Sequence, residues 1–136
     1  MKKNKKSRID IYQTLYGVDL VVANKYATIE ELRKDYTFSD GVELTEEVME
    51  CMATTSKVRR KSDNKYCVLV KYNQGSSVKG RDPKLEFVNT VSHEATHVAI
   101  DIYAFISQDL CPCSPEPFCY LVGWSAECIY NTLQKK

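Results

Sequence analysis

The chain has 136 residues, 43% of them hydrophobic and 27% charged, which is the length of one domain with an ordinary globular balance. Nineteen basic against eighteen acidic side chains leave a net charge of +1, so no overall field draws the protein to nucleic acid or an anionic membrane, and neither is an expected partner. No apolar run approaches the ~20 residues of a membrane span, and the basic start (Met1 to Lys6) lacks the apolar core of a secretion signal behind it.

Residues 1–7 read as a solvated basic tail and 8–136 as a single domain. Arg8 to Tyr16 alternates apolar and polar positions as a strand does. Gly17-Val18-Asp19 makes a turn, and Leu20 to Ala23 a second strand, together a hairpin. Thr28 caps a short helix, with Glu31 three places on and Ile29 and Leu32 sharing a face. Ser39-Asp40-Gly41 is a turn, and Thr45 to Met52 is ambiguous, since Thr45 to Met49 could open a helix. A threonine-rich strand is expected from about Met52 to Arg60, then a turn at Ser62-Asp63-Asn64. Tyr66 to Tyr72 is the clearest strand, and its run Val68-Leu69-Val70 is apolar on both faces, which predicts a central place in the sheet.

A flexible loop is expected over 73–81. Asp82-Pro83 is a helix start, aspartate as N-cap and proline at the first helical position, and the helical pattern holds from Leu85 to Ile106. Pro112, Pro115 and Pro117 break it, and a last helix runs from about Pro117 to Leu133, with Trp124 on its core face. The fold class is therefore α+β: a small, mostly antiparallel sheet from the N-terminal half, packed on a long helix and a C-terminal helix.

The chemistry is concentrated on the long helix. His93 and His97 are the only histidines, four residues apart, with Glu94 between them. At 3.6 residues per turn both imidazoles fall on one face, where they can share a tetrahedral metal, and zinc is the expected cofactor. Glu94 lies about 100° round the helix, beside the metal rather than on it, placed to act as general base toward an activated water. A catalytic zinc takes a third protein ligand, and no third histidine exists. The candidates are acids or cysteines beyond the long helix: Glu116, nineteen residues after His97, is favoured, and Glu127, on the same face of the last helix, is the alternative. Six cysteines with no export signal read as reduced, largely buried thiols, although Cys111-x-Cys113 with Cys119 and Cys128 could hold metal.

These residues carry a resemblance. His93-Glu94-Ala95-Thr96-His97 followed by Glu116 is similar to the gluzincin branch of zinc metallopeptidases. The stretch from His93 to Asp101 resembles the active helix of thermolysin-like enzymes, including an aspartate four places after the second histidine. Glu116-Pro117-Phe118-Cys119 resembles the Glu-x-x-Ala pattern of small intracellular gluzincins, many encoded by phages and mobile elements. The resemblance covers about 82–133 and implies hydrolysis of a peptide or protein substrate, in a bacterial or phage-infected cytoplasm. Two departures stand out: Tyr120 occupies the place of an orienting aspartate, and no histidine is left to polarise the substrate. Tyr120, Tyr103 and Arg81 are the candidates for stabilising an oxyanion, and Asp101 for holding His97. The alternative function is a non-catalytic zinc-binding accessory protein that retains the site.

Overall fold

The computed structural model describes residues 5–74 and 79–135. Positions 75–78 of the expected 73–81 loop lie outside the described residues, as do 1–4 of the basic tail. The elements follow in the order β1 (Ile9–Gln13), β2 (Asp19–Ala23), α1 (Ile29–Asp35), β3 (Tyr36–Phe38), a 3-10 turn (Glu46–Met49), β4 (Ala53–Arg60), β5 (Tyr66–Tyr72), α2 (Pro83–Phe105) and α3 (Glu116–Gln134). The expected α+β architecture is present, with the long helix and the C-terminal helix where the periodicity puts them.

The five strands form one sheet in the order β1-β2-β5-β4-β3. All pairs are antiparallel except β2 with β5, which runs parallel in the register Leu20–Val68 and Val22–Val70. β5 is thus the middle strand, as its apolar run predicts. The sheet is buried on both faces because two separate cores grip it. On one side Leu20, Val22, Val68 and Val70 pack against Val91, Ala95, Val98, Ala99 and Ile102 of α2 and Leu121 and Ile129 of α3. On the other, Val21, Val58, Cys67 and Leu69 pack against Ile29 and Leu32 of α1 and Val48 of the 3-10 turn. The second core is the part that local patterns did not reveal.

Local chemistry sets the element ends. The Glu31 N–H donates to Thr28 Oγ1 (3.2 Å) at the start of α1, and the Lys84 N–H to Asp82 Oδ1 (2.9 Å) at the start of α2, with Pro83 in the first turn. β1 stops at Gln13 instead of reaching Tyr16, because the Thr14 hydroxyl turns back to the Val18 carbonyl and closes the loop. β3 was not expected. It directly follows α1, and only its pairing with β4 (Phe38–Val58 to Tyr36–Arg60) makes it a strand. Residues ahead of Arg8 are also tied to the domain: Asn24 Nδ2 donates to the Lys6 carbonyl (3.0 Å), and the Ser7 hydroxyl bonds Glu31.

α2 and α3 pack antiparallel, as two aromatic contacts at their opposite ends show. Tyr103 meets Phe118 at a centroid distance of 5.2 Å, and Phe87 meets Tyr130 at 6.0 Å. Trp124 lies edge-on to Tyr12 at 6.5 Å and packs on the first core, as its place on the helix predicts.

Candidate metal centre

The apolar stripe of α2 decides where its histidines go. Val91, Ala95, Val98, Ala99 and Ile102 turn into the core, which leaves His93 and His97 exposed on the flank above β4. Their Nε2 atoms converge to 3.1 Å, with ring centroids 4.8 Å apart. Two nitrogens bound tetrahedrally to one zinc at about 2.0–2.1 Å stand about 3.3 Å apart, so the pair spans one edge of such a site almost as it lies. The donor chemistry fits zinc at these two corners.

Glu94, one residue on, is turned inward and only 6% exposed. Its Oε2 accepts a hydrogen bond from the Thr55 hydroxyl on β4. Thr55 reaches it because β4 alternates: Val58 belongs to the core beneath the sheet, so 53, 55 and 57 face α2. Cys51, Met52, Ala53, Asn89, Thr90, His93 and Glu94 line one cleft of about 240 Å³ between α2 and the start of β4. Burial pushes the Asp101 carboxyl above its usual range, against the pull of the Lys57 and His97 charges beside it.

β4 is open beside this cleft. The Lys57 carbonyl accepts from the Ser39 N–H (3.0 Å) on the outer side, so by alternation the peptide groups of 55 and 53 point the same way. β3 pairs only with 58–60, and no strand among the described residues covers 53–56 on that side.

The other expected site residues are not brought to the histidines. Phe118 packs on Tyr103, so the exposed Glu116 lies near the far end of α2, about 9 Å or more along the axis from His97. Glu127 shares a groove with Val88, Val91 and Ser92, which lie roughly 120–160° round α2 from the histidine flank. Among the described residues no three His, Cys, Asp or Glu side chains stand close enough to hold a metal ion. The favoured third ligand, Glu116, and its alternative Glu127 are therefore both separated from the pair. The reason is packing: α3 must cover the apolar stripe of α2, and the histidines sit outside that stripe. Tyr120 is 73% exposed on α3, Tyr103 is spent on the contact with Phe118, and Arg81 is exposed ahead of α2. Asp101 lies one turn beyond His97, half-buried. Cys111, Cys113 and Cys119 are exposed and Cys128 is buried, all of them free.

Cys51, Thr55 and Lys57 were missed as site residues. The period-2 register of β4, which would have placed 53, 55 and 57 on one face, was the signal for two of them. No local pattern marks Cys51.

No protein-family model, curated protein or solved structure matches the chain. No helix among the described residues is long and apolar enough to cross a membrane.

Proposed function

We propose that the protein is a zinc-dependent peptidase whose chemistry runs at the His93–His97 pair, with Glu94 as general base. The observation that carries this reading is the convergence of the two Nε2 atoms at 3.1 Å beside a buried carboxylate held by Thr55. Zinc bound by the two imidazoles would supply Lewis acidity, lowering the pKa of a coordinated water and polarising the scissile carbonyl.

The chain's own groups do the rest. Glu94 takes a proton from the attacking water and delivers it to the leaving amine. The Thr55 hydroxyl fixes the carboxylate at the back of the cleft, so that no rotamer search precedes the transfer. An extended peptide adds to the open edge of β4, its backbone bonding the outward peptide groups of 53 and 55. Lys57, on the same face of β4 and close enough for its charge to act on Asp101, opposes negative charge at that end of the cleft. All six cysteines are free and four are exposed, which suits a reducing, cytoplasmic compartment.

A second reading, a zinc-binding accessory protein without turnover, is favoured by the separation of Glu116 and Glu127 from the pair. Hydrolysis of a mixed peptide library tests the choice. Glu94→Gln should lower turnover by about 10²–10⁴-fold while leaving bound zinc at one equivalent. Turnover unchanged by that substitution removes Glu94 from the mechanism; no hydrolysis by the zinc-loaded wild type leaves the accessory reading.

A further inference from the structure

β2 and β5 run parallel, so their carboxyl ends, at Ala23 and Tyr72, lie side by side. From there the chain parts to opposite faces of the sheet. α1 packs on the face of Val21 and Leu69, and α2 on the face of Val22 and Val70. Where neighbouring parallel strands diverge in this way, neither connection covers the strand ends, and a crevice opens beyond them. A cavity of about 800 Å³ occupies that place, the size of a small-molecule site. Asn24, Lys25 and Tyr26 after β2, Tyr72 at the end of β5 and Phe87 of α2 line it. It shares no lining residue with the histidine cleft.

Its walls are of two kinds. Tyr72 and Phe87 stand edge to face with centroids 6.1 Å apart, and Tyr26 adds a third ring. Lys5, Lys6, Arg8, Lys25 and Lys135 supply positive charge, and no acid is in the lining. Asp10, between Arg8 and Lys135, and Glu31, on the Ser7 hydroxyl, offset part of that charge from outside. Lys5, Lys6 and Lys25 form no ion pair among the described residues, and the Lys25 ammonium donates to the neutral Gln74 Oε1 (3.2 Å). The chain as a whole carries only +1, so the charge is a local concentration. Asn24 fixes the segments on either side of it. Its Oδ1 accepts from the N–H groups of Arg8 and Tyr26 (both 3.1 Å), and its Nδ2 donates to the Lys6 carbonyl (3.0 Å).

We propose that this crevice binds a nucleoside polyphosphate, its phosphates among Lys5, Lys6, Arg8 and Lys25 and its base against the rings of Tyr26, Tyr72 and Phe87. The ammonium and guanidinium groups donate charge-assisted hydrogen bonds to phosphate oxygens. A flat base supplies the aromatic surface that the three rings match. The site does not depend on zinc at the histidine pair.

Isothermal titration calorimetry tests this with ATP, and with adenosine and sodium triphosphate as its two halves. ATP should bind at a single site per chain and at least about tenfold more tightly than either half, because each half makes only one set of contacts. Lys25→Glu should weaken ATP and triphosphate alike by about tenfold or more. Lys34→Glu, the same change of charge on the exposed side of α1, should leave ATP binding as it was. Tyr26→Ser should weaken ATP about fivefold or more and leave triphosphate unchanged. All three side chains are exposed, so their replacement does not endanger the fold, and unchanged far-ultraviolet circular dichroism is the control. Triphosphate that binds as tightly as ATP overturns the proposal, as does equal weakening by the two lysine reversals. Oligothymidylate that outcompetes ATP overturns it in favour of a nucleic-acid surface, and a wild type that does not bind ATP overturns it outright. None of these results touches the histidine site.

Discussion

Lys71 is the sharpest place to test the physics of this fold. It sits on the central strand β5, alternates onto the face of Cys67 and Leu69, and is fully buried toward α1. Its Nζ donates to the Tyr72 carbonyl (2.8 Å), and the charge of Glu31 gives only distant support. Burial therefore pulls its pKa down to about 8 from an ordinary 10.5. The gap corresponds to about 3 kcal/mol of folding free energy, spent on desolvating the ammonium. The folded-state value is the lower one. Below pH 8 both states carry the proton and the whole cost is present; between 8 and 10.5 the folded lysine is neutral while the unfolded one is charged, so stability climbs; above 10.5 the cost is gone. Lys71→Met removes the charge and keeps the length. It forfeits the bond to Tyr72, about 1 kcal/mol, so the variant should be more stable by about 2 kcal/mol at pH 7. Urea unfolding of both proteins at pH 7, 8, 9 and 10 reads the difference. Other tyrosines and cysteines titrate alike in both and cancel. The advantage should shrink steadily toward pH 10. A difference that stays flat with pH, or a variant less stable at pH 7, would refute the desolvation argument.

Thr55→Val should cut kcat about tenfold or more at little change in KM, since one hydrogen bond to a charged group is worth about 1.5–3 kcal/mol, and Thr55→Ser should restore most of it. Asp19 is 2% exposed and bridges Arg60 (2.6 Å) and Lys65 (2.9 Å), so Asp19→Asn should cost about 3–5 kcal/mol in chemical unfolding. Burial alone would raise the Asp19 carboxyl, but its bonds to Lys65 and Arg60 hold it below the ordinary 3.8. The stability it contributes is therefore present above that value and lost as pH falls through the lower folded one. An acid titration of the unfolding midpoint should lose that step in the Asn variant.

Sequence periodicity read some of this molecule well. The caps at Thr28 and Asp82, the central place of β5 and the common flank of His93 and His97 are all local: each depends on residues a few places apart along one strand or helix. A helix turns 100° per residue wherever it sits, so four-residue spacing alone brings two imidazoles together. Which partner faces that flank is a different kind of fact. Glu116 and Glu127 satisfied every spacing argument, yet the burial of Val91, Ala95, Val98, Ala99 and Ile102 turned α3 to the opposite side. β3, too short to announce itself, became a strand only through β4, and its shortness leaves 53–56 open beside the cleft. Cys51 came to line the cleft of His93 across 42 positions of chain, and Thr55 met the Glu94 carboxylate across 39, for the same reason. Helical and strand spacing determine which side chains share a face. The competition to bury apolar surface over the whole chain decides what that face meets, and here it set Glu116 and Glu127 of the C-terminal helix apart from the histidine flank.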